Sequence, residues 1–275
     1  VAAASRSPDL SFFPETLRPM PLTFASWNIN SIRTRAHLVK DWLDRNPDCT
    51  LLCLQEIKCE TEKFPKLFEE AGFHVAVAGQ KTYNGVTLIS RVPLTVTTDH
   101  LPGFESDEAR YIEAELDDVT IGNLYLPNGN SGGEAGFAKK LNFLDALHQR
   151  SLKLQKEERS FAFIGDYNVC PTDEDYAPKA LSPDDALLRP ESRAGFRRLL
   201  WSGLTDALRC LHPTGRHYTF WDYQAGAYQR NSGLRIDHAL LSPRLADRLT
   251  SFIIDRDERG REKPSDHVPV VVTLS

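Results

Sequence analysis

The chain reads as an α/β protein in which sheets pack face to face with helices outside. Three observations predict this. Short apolar runs recur along most of the length, and several stop abruptly at a polar residue. A few helical stretches lie among them without strict β–α–β alternation. No glycine-rich phosphate loop is present, which disfavours dinucleotide-binding and P-loop architectures.

The elements follow in order. Leu22–Trp27 is an apolar strand that ends at Asn28. Ile32, Ala36, Val39 and Leu43 recur at helical spacing and predict a helix over 32–46. Thr50–Leu54 is a buried strand that ends at Gln55-Glu56, and a short helix covers 64–71. Strands are expected at 73–78, 85–90, 94–98, 110–116 and 119–126, then a long helix at 134–156. Phe161–Ile164 is a strand that runs into Gly165-Asp166-Tyr167-Asn168. Residues 170–190 are rich in Pro and Asp and read as a loop. Helices at 191–202 and 204–210 precede strands near 217–221, 235–241, 249–254 and 268–274.

With 41% hydrophobic and 26% charged residues among 275, the composition is that of an ordinary globular chain. Residues 21–275 read as one domain, with no internal linker or short-period repeat. Residues 1–20 carry three prolines and no apolar period, so a flexible tail is expected there. Met20 is the only methionine and is read as a natural start. No apolar run approaches the roughly 18 residues of a membrane span. Five cysteines without a Cys-x-x-Cys pair point to a reduced, cytoplasmic protein and away from structural zinc. The net charge of −5 does not advertise nucleic-acid binding, although an acidic site and a basic rim can share one chain.

The polar residues that stand out sit where strands end. Asn28, Glu56, Tyr125, Asp166 and Asn168 each finish or follow an apolar run, while Asp237 and the pair Asp266-His267 flank others. Neighbouring side chains on an extended strand face opposite ways, so Asp266 and His267 each need a separate upstream partner. Taken singly, each residue has a plainer reading. Glu56 reads as a loop charge or cap, Asp166 as a turn former, Tyr125 as sheet packing and His267 as a surface histidine. Asp237 is harder to set aside, because a carboxylate in an apolar strand is costly unless paired. Together, carboxylates, amides, a phenol and an imidazole at one rim suit phosphoryl chemistry with a hard metal, Mg²⁺ or Mn²⁺.

Six blocks carry a more specific signal. They are Trp27-Asn28-Ile29-Asn30-Ser31-Ile32-Arg33, Leu54-Gln55-Glu56-Ile57-Lys58, Tyr125-Leu126-Pro127-Asn128-Gly129, Gly165-Asp166-Tyr167-Asn168-Val169, Gly233-Leu234-Arg235-Ile236-Asp237 and Pro264-Ser265-Asp266-His267-Val268-Pro269. In content and order, across about 22–275, they resemble the exonuclease III family of AP endonucleases, of bacterial exodeoxyribonuclease III type, within the endonuclease/exonuclease/phosphatase superfamily. The resemblance implies a four-layer α/β sandwich of DNase I-like type, two packed mixed sheets flanked by helices. It also implies a DNA repair nuclease that hydrolyses the phosphodiester 5′ to an abasic site and leaves a 3′-hydroxyl. Accompanying 3′–5′ exonuclease and 3′-phosphodiesterase or phosphatase activity is expected. The implied partner is double-stranded DNA with abasic sites or blocked 3′ ends, bound by a monomer.

On this resemblance Glu56 is the direct Mg²⁺ ligand, Asn28 and Asn30 help build the metal and phosphate pocket, and Asp266 is a further metal candidate. Asp166 aligns and deprotonates the attacking water, and Asn168 orients Asp166 or the phosphate. Tyr125 donates to a phosphate oxygen. His267 contacts the phosphate as a cation sustained by Asp237. Phe220, Leu234 and Ile236 would line the pocket for a baseless sugar. Arg33, Lys58, Lys81, Arg110 and Arg235 would grip phosphates, with Tyr83-Asn84-Gly85 as a backbone contact. Asn128-Gly129-Asn130-Ser131-Gly132-Gly133 departs from the pattern, with small residues where relatives place long ones, and leaves the endonuclease-to-exonuclease balance open. Two alternatives stand beside this reading: a phosphatase or phosphodiesterase of the same superfamily acting on a lipid or phosphoinositide headgroup, and a non-catalytic DNA-binding protein.

Overall fold

The computed structural model describes residues 21–275; the expected tail and the reading of Met20 lie outside these. Two six-stranded mixed sheets stack face to face. The first contains β1 (Leu22–Asn28), β2 (Leu51–Gln55), β3 (His74–Ala78), β4 (Val86–Ser90), β11 (Leu249–Ile254) and β12 (Val270–Leu274), in the order β11-β12-β1-β2-β4-β3. The second contains β5 (Thr95–Thr98), β6 (Tyr111–Leu116), β7 (Val119–Tyr125), β8 (Ser160–Asp166), β9 (Thr205–Asp206) and β10 (Asp237–Leu241), in the order β5-β6-β7-β8-β10-β9.

Alternation along the strands sorts the side chains into layers. Phe24, Leu51, Cys53 and Leu88 face Ile121, Ala162, Ile164 and Ala239 between the sheets. Trp27, Leu52 and Leu54 turn outward onto α1 (Ile32–Arg45), packing with Val39, Trp42 and Leu43. Phe161, Phe163 and Tyr167 turn outward on the other side. They meet Phe143, Leu144 and Leu147 of α3 (Gly133–Lys156) and Phe196 and Leu199 of α4 (Pro190–Trp201). Each Val, Leu, Ile or Phe among these contributes on the order of 1.5–3 kcal/mol when fully buried. The result is the expected four-layer sandwich. α2 (Leu67–Glu70) is shorter than expected.

Three local expectations need correction. The stretch 204–210 is not one helix. Thr205–Asp206 pairs with β10, and Asp206 then accepts from the Arg209 N–H to cap α5 (Ala207–Leu211). The strand expected at 217–221 is reduced to bridges, because Phe220 pairs with Leu234 on one side and His267 on the other. A short helix absent from the sequence reading, α6 (Pro243–Ala246), separates β10 from β11 and starts at a proline, as helices readily do.

Strand register is what gathers the site. β1 and β2 run parallel with Asn28 opposite Gln55. β7 and β8 run parallel with Tyr125 opposite Asp166. β10 runs antiparallel to β8 and sets Asp237 opposite Asp166. The C-terminal ends of four strands and the start of a fifth therefore share one rim. Gly165 is needed there: its φ is 150°, and a Cβ would lie 2.0 Å from the Leu124 carbonyl oxygen. Just inside the rim, Gln55 Nε2 donates across the sheet interface to Asn123 Oδ1 at 2.7 Å, and to Ser26 Oγ at 2.9 Å.

Candidate active site

Asn28 is the hub. Its amide nitrogen donates to Glu56 Oε1 at 2.9 Å and to Asp166 Oδ2 at 3.0 Å, which ties one sheet to the other. Its amide oxygen accepts from the Asn30 N–H at 3.1 Å. Asp166 is buried, and its Oδ1 accepts from the Asn168 N–H at 2.9 Å. Its Oδ2 faces His267 Nε2 at 3.8 Å. His267 Nδ1 lies 2.9 Å from Asp237 Oδ2. Asp237 in turn accepts from Thr219 Oγ1 at 2.6 Å. The Trp27 indole N–H donates to the His267 carbonyl at 3.1 Å and fixes that backbone.

Burial and charge pull these groups in different directions. Burial opposes a charged imidazole at His267, but Asp237, then Asp166 and Asp266, more than offset it and lift the group to about 10. His267 is therefore a cation at neutral pH. Burial, reinforced by Asp237 and Glu56 and opposed by His267, raises Asp166 to about 7. Glu56 goes the other way: burial is outweighed by Lys58 and the Asn28 hydrogen bond, and its carboxyl is lowered. Burial, together with Glu56 and Asp166, raises the Tyr125 phenol well above its usual range. A neutral phenol can donate a hydrogen bond.

Glu56, Asn30 and Asp266 form a second, half-exposed group of oxygens. Lys58 Nζ sits among them, 2.9 Å from Glu56 Oε2 and 2.6 Å from Asn30 Oδ1. Asn30 Nδ2 donates to Asp266 Oδ1 at 3.1 Å. The expected phosphate contact Lys58 thus places its ammonium between two oxygens suited to a hard cation. Asp166, Asp237 and His267 are another group, with one ligand atom from each lying within 4.8 Å of the others. The adjacent residues Asp266 and His267 do hold separate partners, Asn30 and Asp237.

The loops around these groups are strained. Asn30, Ser31, Glu56, Lys58, Asn84 and Asn168 all have positive φ. Each such non-glycine residue costs on the order of 1 kcal/mol and concentrates at functional sites. Backbone hydrogen bonds hold the conformation: Ser31 N–H to the Glu56 carbonyl at 2.7 Å and Lys58 N–H to the Asn84 carbonyl at 2.9 Å.

The remaining expected substrate contacts divide. Arg33 and Lys81 are exposed and Tyr83 is 68% exposed. The Arg110 guanidinium lies 4.7 Å from the Tyr125 ring centroid and pairs with Glu108 at 2.6 Å. Phe220 is half-buried and packs edge-on to the His267 ring at 4.9 Å. Leu234 and Ile236 lie beside Phe220, packed against Cys170 and Leu187 and mostly buried, and Phe220 is the most open of the three. Arg235 is corrected. It is 1% exposed, bonded to Asp175 at 2.6 Å and to Asp206 at 2.9 Å, and cannot reach a phosphate.

Sequence reasoning missed several residues of the site. Ser265 Oγ donates to the Asn28 carbonyl at 2.6 Å, and Thr219 braces Asp237. Asn128 Nδ2 donates to Asn168 Oδ1 at 3.0 Å, so the departing loop still reaches the site. Lys140 lies beneath it. A lysine among Phe137, Phe143 and Leu144, on the buried face of α3, was a readable signal.

Known proteins resemble this chain in sequence and fold. Residues 25–267 match the Endonuclease/Exonuclease/phosphatase family. An exodeoxyribonuclease III from Haemophilus influenzae is 35% identical over 90% of this chain and 98% of its own length. A Neisseria 3′ phosphatase solved with a product DNA hairpin superposes with a TM-score of 0.87 at 35% identity, covering 92% of this chain and 99% of that one. An AP endonuclease from Archaeoglobus fulgidus gives 0.86 at 35% identity, over 92% and 99%. The chain belongs to the endonuclease/exonuclease/phosphatase family, in its exodeoxyribonuclease III and AP endonuclease branch. Among the described residues, no helix is long and apolar enough to cross a membrane.

Proposed function

We propose that this protein is a DNA repair nuclease that hydrolyses the phosphodiester 5′ to an abasic site and also trims blocked 3′ ends, with Mg²⁺ or Mn²⁺ as cofactor. The observation that carries the reading is Asp166, buried and raised to about 7, held by Asn28 and Asn168 beside a cationic His267. A carboxylate poised near neutral pH is matched to general-base work.

Water attacks phosphorus, the bond to the 3′-oxygen breaks, and the proton released by the water passes to Asp166. Asn28 and the Asn168 N–H keep the carboxylate aligned for this transfer. His267 and the Tyr125 hydroxyl donate to non-bridging phosphate oxygens, where negative charge grows. Asp237 and Thr219 keep the His267 ring oriented and charged. The 3′-oxygen takes its proton from solvent.

Glu56, Asn30 and Asp266 would hold the metal. Their oxygens suit a hard divalent ion, and the Lys58 ammonium already occupies cationic space between two of them. When bound, such an ion offsets charge on the phosphate and the leaving oxygen. The buried group Asp166, Asp237 and His267 is the weaker seat, since a ligating His267 must first lose a proton that Asp237 helps retain. Phe220 offers an apolar face to a baseless sugar. Arg33, Lys81, Arg110 and the Tyr83 segment offer the basic and polar rim to phosphates.

The test is one gel. Duplex DNA with a single tetrahydrofuran abasic analogue is incubated with the protein in Mg²⁺, Mn²⁺ or EDTA. A single metal-dependent incision is expected; an intact strand in both metals refutes the reading.

A further inference from the structure

Lys140 is a fully buried lysine with no carboxylate partner at hydrogen-bond distance among the described residues. It rises from α3 on the face that carries Phe137, Phe143 and Leu144. Its ammonium donates to three backbone carbonyls instead: Asn168 at 2.5 Å, Asn128 at 2.9 Å and Pro127 at 3.4 Å. Two of these belong to the loop after β7 and the third to the loop after β8.

Those loops carry the working end of the proposed site. Asn168 donates its backbone N–H to Asp166 and its side-chain amide to the Leu126 carbonyl at 3.0 Å. Asn128 donates to the Asn168 side chain. Asn168 also sits at φ 48°, a conformation that its surroundings must enforce. The lysine stem has dedicated room: a Cβ on Gly129 would come within 2.8 Å of Lys140 Cδ.

We infer that Lys140 is a positioning residue, whose ammonium clamps the Asn128 and Asn168 carbonyls together and so holds the Asp166 carboxylate in line for the attacking water. The inference rests on the function proposed above. Burial pulls the Lys140 amine down to about 7, although Asp166, Asp185 and Cys170 all favour its charged form. Merely filling space does not require a buried amine; methionine fills a similar volume without that cost. Three convergent carbonyls account for its presence.

The experiment compares wild type, K140M and K140Q on the abasic-analogue duplex in Mg²⁺, measuring kcat, KM, DNA binding in EDTA and the melting temperature. Methionine keeps the length and removes every donor; glutamine keeps two N–H donors. Expected for K140M are a kcat at least 30-fold lower, KM and EDTA binding within threefold of wild type, and melting within a few degrees. K140Q should regain at least a third of the lost activity on a logarithmic scale. A K140M turnover within threefold of wild type overturns the inference. So does a loss that falls on KM, or an equal loss in both variants. Should K140M not fold, K140Q decides alone: a kcat lowered more than threefold at unchanged KM supports the role, and any other result overturns it. A wild-type protein that leaves the duplex intact overturns the proposed function itself, which is a different result from a wild type that cuts and a K140M that cuts equally well.

Discussion

Replacing Arg235 by methionine discriminates sharply between a phosphate contact and a buried structural charge. The guanidinium is 1% exposed; its Nε reaches Asp175 Oδ1 at 2.6 Å and its Nη1 reaches Asp206 Oδ2 at 2.9 Å. Arg209 also bonds Asp175 at 2.6 Å, so Asp175 retains one partner in the variant, whereas Asp206 loses the only salt bridge described for it. Asp206 also caps α5 by accepting from the Arg209 N–H at 3.3 Å. Removing one partner from a buried pair costs about 3–5 kcal/mol, because the other charge is left desolvated. With Arg209 still present, the lower part of that range, about 3 kcal/mol, is expected for R235M. The assay is urea unfolding at pH 7 followed by tryptophan fluorescence, and D206N added to R235M should recover part of the loss. A pH series sharpens it. Although burial opposes ionisation, Arg235 and Arg209 hold the Asp175 carboxyl well below its ordinary value. That stabilisation is present above about pH 4 and is lost as pH falls through the depressed folded value. The variant should therefore show a flatter stability profile in acid. If R235M loses less than about 1 kcal/mol while KM for DNA rises, the buried-network assignment is wrong and the phosphate contact is right.

Other outcomes follow from the same geometry. D166A should lower turnover by about 10²–10⁴-fold, the usual contribution of a general base, while DNA binding in EDTA, measured by fluorescence anisotropy, stays near wild type. D237N should change the alkaline stability profile. The folded His267 value of about 10 exceeds the unfolded 6.5, so its stabilisation is complete below pH 6.5 and fades as pH rises to about 10. Melting temperatures from pH 6 to 10 should show that slope in wild type and lose most of it in D237N. The double variant R33A/K81A should weaken binding to duplexes of different sequence alike and flatten the plot of log K against log salt by about 0.9 for each phosphate that is no longer neutralised. Q55L should destabilise the fold by about 1–3 kcal/mol in urea, because Asn123 Oδ1 and Ser26 Oγ lose the donor that joins the two sheets.

How far the site was readable depends on where each partner lies along the chain. Glu56, Asp166 and Asp237 stood out because a carboxylate at the end of an apolar run is conspicuous, and parallel register carries such ends to one rim without further information. Arg235 met the same criterion, a charge beside Leu234 and Ile236, yet its sequence suggests a surface contact. Its answer lay 60 residues upstream at Asp175, in a segment that reads only as a Pro- and Asp-rich loop. Lys140 escapes notice for a related reason. Its partners are backbone carbonyls 12 to 28 residues away, and a carbonyl leaves no mark in a sequence. Thr219 and Ser265 act on Asp237 and on the Asn28 carbonyl across 18 and 237 residues, through hydroxyls that look like any other.

The cost of burying charge supplies the rule that would have caught the first two. A lysine or arginine within an apolar pattern must be offset by acceptors, and when none is visible nearby, those acceptors come from another loop. Applied evenly, that rule separates Arg33 and Lys81, which stand in polar surroundings and remain exposed, from Arg235 and Lys140, which do not. The distinction bears on the proposed function: the first pair is free to meet a phosphate, while the second pair is committed to acceptors inside the protein, Asp175 and Asp206 for Arg235 and three loop carbonyls for Lys140.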